Sequence, residues 1–123
     1  MPIINFRSLV RSFHYAIKGV WYVFKNEQSF RIHLLATAVV LLLMIYFQVK
    51  LWEAVILFLV IIVVLVLELI NTIFEKMVDI LKPRIHFYAE IIKDIMAATV
   101  LVASIGALII GILIFAPYIW PNL

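Results

Sequence analysis

The fold of this chain is decided by residues 54–79, which read AVILFLVIIVVLVLELINTIFEKMVD. The first 14 of them, Ala54 to Leu67, are uncharged and apolar enough to lie in a lipid bilayer. Four polar side chains then follow in quick succession: Glu68, Asn71, Glu75 and Asp79. At about 100° per residue these positions share one side of a helix, so they form a single polar stripe that begins where an apolar helix ends.

The composition predicts an integral membrane protein. Of the 123 residues, 67% are hydrophobic and 14% are charged, whereas soluble domains carry roughly a quarter charged residues. The chain has no cysteine, which excludes disulfides, thiolate chemistry and cysteine metal sites. Its net charge of +3 does not indicate nucleic-acid binding, because basic residues in so apolar a chain are expected to face anionic lipid and the cytoplasm.

Three apolar segments are long enough to cross a bilayer, at about residues 32–49, 52–74 and 95–118. Residues 5–25 precede them and have the period of an amphipathic helix, with basic side chains on one side and a wide apolar arc on the other. The predicted fold is therefore an all-α membrane protein with an N-terminal amphipathic surface helix and three transmembrane helices, in one domain over residues 1–123.

The basic residues also predict the orientation. Five Lys and Arg residues precede the first span and four lie between the second and third, whereas Lys50 alone separates the first two spans and none follows the third. The positive-inside rule places the N-terminus and the polar stripe in the cytoplasm and the C-terminus outside.

Three explanations of the polar stripe are open at this point. Glu68 and Asn71 could be polar contacts between helices of an oligomer. Glu75, Lys76 and Asp79 could be the solvated end of a helix. Alternatively, the stripe could be an active site. A transport path is less consistent with the sequence, because the acidic residues gather at one membrane face.

Other polar residues favour the active site. Glu27 enters at the same membrane face from another helix and could join Glu75 around a hard cation, which prefers oxygen ligands. Lys93 and Asp94 close the loop before the third span, and Lys93 suits phosphate oxygens. This combination at a lipid–water boundary suits a Mg²⁺-nucleotide that reacts with a lipid alcohol, because phosphoryl transfer needs mainly positioning and charge stabilisation. Interfacial or packing roles are expected for the three histidines, which share no metal-ligand spacing: His14, His33 and His86.

These motifs resemble the small prokaryotic lipid kinases, a family that includes diacylglycerol kinase and undecaprenol kinase. The resemblance rests on KNEQSFRIH at 25–33, on ExxNTxxExxVD at 68–79, and on KD at 93–94 followed by AATVL. They occur in the family's order and spacing, from about residue 12 to residue 115. FRIHL in the first span and Pro83 after the stripe look more like the Gram-positive undecaprenol kinase branch.

The resemblance implies a domain-sharing homotrimer whose active sites transfer the γ-phosphate of ATP, with Mg²⁺, to a membrane alcohol. Undecaprenol is the expected acceptor and diacylglycerol the alternative. Carried over by position, the resemblance implies that Glu68 is the general base with Asn71 beside it, and that Glu27 and Glu75 hold Mg²⁺. It further implies that six residues contribute to nucleotide binding: Tyr15, Lys18, Asn71, Asp79, Lys93 and Asp94.

The chain also departs from the family's usual pattern at four positions: Ile73, Phe74, Ile85 and Met96. None of these departures removes a charged group from the implied site. We therefore expect them to change affinity and lipid choice more than the chemistry.

Overall fold

The computed structural model describes residues 3–122. They form three helices, α1 (Phe6–Asn26), α2 (Gln28–Phe47) and α3 (Leu51–Ile119). No β-strand occurs within residues 3–122, so the predicted all-α class is confirmed for them. Both α2 and α3 are long and apolar enough to cross a membrane.

Side chains cap α1 at both of its ends. The side-chain oxygen of Asn5 accepts hydrogen bonds from two backbone amides of the first turn, at 3.1 and 3.3 Å. At the other end, the guanidinium of Arg31 donates to the carbonyls of Phe24 and Lys25, both at 2.9 Å. A cation there satisfies carbonyls that lack partners within the helix and complements the helix dipole. The corner so formed leaves Glu27 between α1 and α2.

The extent of α1 agrees with the predicted surface helix at residues 5–25. Val23 is its buried residue, while the apolar side chains of the predicted membrane face are uncovered, such as Phe13 at 64% and Ile17 at 68% exposure. A face of this kind left free of protein contacts suits a helix that lies in a membrane interface. The position of α1 on a membrane remains a prediction.

Helix α3 folds back on itself at a kink. The backbone at Ile85 is non-helical (φ −117°, ψ 20°), and Pro83 lies two residues before it. Proline cannot donate a backbone hydrogen bond and clashes with the preceding turn, so it favours a kink. A straight helix of 69 residues would be roughly 100 Å long, yet the Tyr118 hydroxyl donates to the Glu53 carboxylate. The first arm (residues 51–84) and the second arm (residues 86–119) therefore lie side by side.

The two arms correspond to the second and third predicted spans, but the segment between those spans is not a loop. The chain stays helical from 75 to 84 and from 86 to 94, so the helices are longer than the apolar segments at 52–74 and 95–118. The sequence prediction identified where the side chains change from apolar to polar. That change marks the end of an apolar segment, and the helix itself extends beyond it. The number of membrane crossings remains a prediction.

Helix α2 packs against both arms. Away from the kink, Met44 of α2 is buried with Leu57 of the first arm and with Ile114 and Phe115 of the second. An apolar groove of about 570 Å³ runs between the three segments from this core to His33. The bundle therefore has an apolar middle, with polar side chains concentrated towards its two ends.

Candidate active site

Glu68 is the most deeply buried charged side chain of the described residues, at 1% exposure, and α2 covers it. Its Oε1 lies 2.6 Å from Nδ1 of His33. Its Oε2 accepts a hydrogen bond from the hydroxyl of Ser29 at 3.3 Å. Ser29 and His33 are four residues apart, so they share the face of α2 that meets the first arm. The carboxylate that was predicted to be the base is thus held by two side chains of a neighbouring helix.

His33 in turn contacts the second arm. Its Nε2 lies 3.0 Å from the hydroxyl oxygen of Ser104, which itself donates to the carbonyl of Val100 at 2.8 Å. The prediction of an interfacial or packing role for His33 did not identify this contact with Glu68. The i, i+4 spacing of Ser29 and His33 was a signal for it, because it places two polar groups on one side of an otherwise apolar helix.

The stripe continues one turn further along the first arm. The amide nitrogen of Asn71 donates to Oε1 of Glu75 at 3.3 Å. An ionised carboxylate can only accept hydrogen bonds, so the amide nitrogen faces Glu75 and the amide oxygen faces away. That oxygen is buried and has no hydrogen-bond partner among residues 3–122. Asn71 therefore presents an unused acceptor in the interior beside Glu75.

Glu27 reaches the same region from the corner between α1 and α2. Burial raises the pKa of its carboxyl group, and repulsion from Glu75 and Glu68 adds to this effect, while Lys76 opposes it. Two carboxylates that repel one another are a place where a cation is favourable. Within residues 3–122 no group of three or more His, Cys, Asp and Glu side chains is placed to hold a metal. The charges of Glu27 and Glu75 therefore interact, and their joint role in holding a cation remains a prediction.

The family model of prokaryotic diacylglycerol kinases matches residues 14–115, most of the chain. The chain belongs to this family. It is 36% identical over 107 residues to the undecaprenol kinase of Bacillus subtilis, covering 87% of each chain. It is also 36% identical over 105 residues to the diacylglycerol kinase of a Synechocystis species, covering 85% of this chain and 60% of that one. The protein is a membrane-associated lipid kinase, and the family relationship inferred from the motifs is confirmed.

Two further predicted residues of the kinase pair across the kink. Lys93 Nζ of the second arm lies 2.5 Å from Oδ1 of Asp79 on the first. The hydrogen bond from Lys93 lowers the pKa of the Asp79 carboxyl, and the same bond raises the pKa of Lys93. Glu75 contributes further to the rise at Lys93. The Lys93 side chain of the second arm therefore reaches the stripe on the first arm, at the exposed end of the bundle.

Three predicted nucleotide contacts are exposed and are not joined to this cluster by any hydrogen bond or ion pair of the described residues: Tyr15, Lys18 and Asp94. Helix α1 approaches the stripe nearer its end, where the Lys76 ammonium lies 5.9 Å from the ring centre of Tyr22. The roles of the three residues in the kinase remain predictions.

The four departures from the family pattern lie away from the buried polar groups. Ile73 and Phe74 are exposed on the outer side of the first arm, at 56% and 41%. Ile85 is the non-helical residue of the kink, and Met96 is half-buried on the second arm. None of them contacts the Glu68 carboxylate among the hydrogen bonds and ion pairs of the described residues.

Proposed function

We propose that this kinase transfers the γ-phosphoryl group of ATP to the hydroxyl of undecaprenol at the cytoplasmic face of a bacterial membrane, yielding undecaprenyl phosphate and ADP. The observation that carries the proposal is the Glu68 carboxylate, which is buried at the polar end of an apolar bundle beside the carboxylates of Glu75 and Glu27. A base for a lipid hydroxyl belongs at this boundary, because the acceptor's chain stays in the bilayer while its hydroxyl lies at the surface.

In the proposed reaction Glu68 is the general base. The acceptor oxygen attacks the γ-phosphorus in line, and the bond to the β–γ bridging oxygen breaks with its electron pair leaving on ADP. The hydroxyl proton passes to Glu68. Oε2 is the oxygen that can receive this proton, because it already accepts a hydrogen bond from the hydroxyl of the exposed Ser29. Fixing the hydroxyl and the phosphate in this geometry supplies much of the catalysis.

The residues of the site fit Mg²⁺. Glu27 and Glu75 would hold it, since Mg²⁺ in nucleotide sites commonly binds one or two carboxylates and completes its shell with phosphate oxygens and water. The unpaired amide oxygen of Asn71 adds a further acceptor beside Glu75. When bound, the cation would neutralise charge on the phosphate oxygens. Lys93, Asp79 and Asp94 are proposed to contact the nucleotide, with Tyr15 and Lys18 of α1 near its base.

Undecaprenol is preferred over diacylglycerol for two reasons. FRIHL in α2 and Pro83 before the kink look like the undecaprenol kinase branch. The match to the Bacillus subtilis undecaprenol kinase also covers 87% of both chains, whereas this chain spans 60% of the Synechocystis diacylglycerol kinase. The two relatives are equally identical to this chain, so diacylglycerol remains the alternative acceptor.

A homotrimer with shared active sites is part of the proposal. It is supported by the exposed positions of Tyr15, Lys18 and Asp94, which a single protomer leaves apart from the buried carboxylates. Mixing inactive Glu68→Gln protomers with inactive Asp94→Asn protomers tests it. Restored activity in the mixture is expected, and a mixture as inactive as its components would place each site within one protomer.

The proposed reaction is tested with radiolabelled ATP in mixed micelles that contain either undecaprenol or diacylglycerol, with Glu68→Gln as the blank. We expect label in undecaprenol well above diacylglycerol. The reverse preference would retain the lipid kinase and overturn the acceptor. Label in neither lipid, from protein that is folded in the same micelles, would overturn the proposed reaction.

A further inference from the structure

His33 is held through both of its ring nitrogens. Its Nε2 lies 3.0 Å from the hydroxyl oxygen of Ser104, which also lies 2.8 Å from the Val100 carbonyl. The tautomer of the ring decides which of these two groups receives the hydroxyl proton. Its Nδ1 lies on the opposite side of the ring and faces Glu68.

The contact between His33 and Glu68 needs a proton. Nδ1 and Oε1 lie 2.6 Å apart, and neither atom has another hydrogen-bond partner among residues 3–122, although the pair itself is not aligned as a hydrogen bond. Two lone pairs would repel at this distance, so the contact requires a proton on one of the two atoms.

This contact makes the two oxygens of Glu68 unequal. Oε1 is occupied by His33, which is itself held by Ser104 of the second arm. Oε2 has only the hydroxyl of the exposed Ser29, at 3.3 Å, which is the long end of the hydrogen-bond range. A substrate hydroxyl that replaces the Ser29 hydroxyl can donate a hydrogen bond to Oε2, which is already oriented to accept it.

We propose that His33 is a positioning residue for this kinase: held by Ser104, it shares one proton with Oε1 of Glu68 and so leaves Oε2 aimed at the acceptor hydroxyl. The inference rests on the proposed role of Glu68 as the base. It assigns a function to a histidine whose sequence position alone indicated packing. The three helical segments of the bundle each supply one member of this arrangement, so it also fixes their register at the membrane face.

Two substitutions of His33 separate its two contacts. His33→Asn keeps an N–H donor near the position of Nδ1, whereas His33→Gln keeps one near Nε2 and loses the group that faces Glu68. We expect kcat to fall about 10²-fold in His33→Gln, since small misplacements of a reacting group cost this much, and to fall markedly less in His33→Asn. KM for ATP and for the lipid should stay within about twofold in both variants, because neither substrate is bound by His33.

Ser104→Ala removes the support of His33 and is expected to lower kcat by roughly tenfold, an effect intermediate between the wild type and His33→Gln. Thr99→Val is its matched control. The hydroxyl of Thr99, on the same arm, bonds only to the carbonyl of its own preceding turn, at 3.0 Å. Its removal should leave kcat unchanged. Equal loss in His33→Asn and His33→Gln, or a rise in KM with kcat unchanged, would overturn the positioning role.

The shared proton is measured without reference to activity, by ¹⁵N NMR of histidine-labelled protein. His14 and His86 are exposed and can be replaced by Gln, which leaves His33 as the single labelled ring. We expect its Nδ1 resonance to move toward the unprotonated position when Glu68→Gln is introduced, because the carboxylate that faces Nδ1 is then removed. An Nδ1 resonance at the same position in both proteins would overturn the proposal.

The two assays also separate the inference from the reaction on which it rests. If wild type labels no lipid but the Nδ1 resonance responds to Glu68→Gln, the contact exists and the proposed function fails. If wild type is active and Glu68→Gln is not, but His33→Gln retains the wild-type kcat, the function stands and the positioning role fails.

Discussion

The first arm carries one buried glutamate at each end of the bundle, and the two are bound in different ways. Glu53 is 7% exposed, and its Oε1 accepts from the backbone amide of Lys50 at 3.0 Å and from the Tyr118 hydroxyl. Glu68 is 1% exposed, and its Oε1 lies 2.6 Å from Nδ1 of His33 on a neighbouring helix. Burial alone therefore does not mark a functional carboxylate, because the partners of the group decide its role.

The surroundings of the two carboxylates reinforce the difference. Glu53 caps the start of α3 and joins it to the end of the second arm, so both of its contacts are fulfilled within the fold. Glu68 lies near Glu27 and in the same stripe as Asn71, where an acceptor is left over. A satisfied group stabilises the structure, whereas unsatisfied or mutually repelling groups indicate a site for a ligand.

The largest predicted effect is the loss of catalysis on removing the charge at the stripe. Glu68→Gln keeps the shape of the side chain but cannot accept the hydroxyl proton, so we expect turnover to fall by about 10²–10⁴-fold. The measurement is initial-rate phosphate transfer in undecaprenol micelles, with the helical circular dichroism signal as the check on folding. Activity within a few-fold of wild type would remove Glu68 from the role of base.

The matched change at the other end should affect stability and spare catalysis. Tyr118→Phe leaves Oε1 of Glu53 without the donor that joins the two arms, so the unfolding temperature should fall by roughly 4 °C or more. Thermal unfolding in detergent, followed by circular dichroism, measures this fall. Transfer activity well below the unfolding temperature is expected to stay near wild type. A catalytic loss as large as that of Glu68→Gln would erase the distinction between the two ends.

Glu27 provides a sharper test of the stripe as a ligand site. Its ionised carboxylate is proposed to bind Mg²⁺ and, without the metal, lowers the stability of the fold. Burial and the charge of Glu75 raise the pKa of Glu27 above its ordinary value of 4.5, so ionisation is less favourable in the folded protein than in the unfolded chain. Stability from this group is thus greatest at low pH, falls as the pH rises from 4.5 through the raised pKa, and stays lower above it.

Glu27→Gln removes that destabilising charge. In Mg²⁺-free buffer at neutral pH the variant should unfold at a higher temperature than wild type, and the difference should close as the pH falls below 4.5. Activity should need about tenfold more Mg²⁺, since one carboxylate ligand is lost. Added Mg²⁺ should raise the unfolding temperature of wild type more than that of the variant. An unchanged Mg²⁺ requirement would exclude Glu27 as a ligand.

The sequence predicted one side of the site better than the other. The stripe from Glu68 to Asp79 lies on a single helix, where a period of 100° per residue is enough to show which side chains share a face. His33 and Ser104 reach Glu68 only through the relative register of three helices. Periodicity along one segment does not contain that register, because it is determined by packing between segments.

The course of the backbone shows the same limit. Pro83 was noted only as a feature of the family branch, yet the kink at Ile85 lies two residues after it. The helical stretches on both sides of the kink were predicted as loop, because their charged residues mark the end of the apolar spans. Such residues are good helix formers, so the helix continues after the apolar pattern has stopped.

The smallest predicted effect is at the exposed pair of Asp79 and Lys93. Asp79 has a partner within the fold, as Glu53 does, but it belongs to the same stripe as Glu68. The bond from Lys93 lowers the pKa of Asp79, so any stability it contributes is present at neutral pH and is lost as the pH falls through that lowered value. Exposed ion pairs contribute little, so Asp79→Asn should leave the unfolding temperature unchanged at pH 7.

In Asp79→Asn the KM for ATP should rise by roughly two- to fivefold, because Lys93 is then no longer held towards the stripe. Lys93→Met should raise it further, since the phosphate contact itself is lost. A lower KM in Asp79→Asn would instead mean that Asp79 competes with the nucleotide for Lys93, and this carboxylate would then resemble Glu53 more than Glu68.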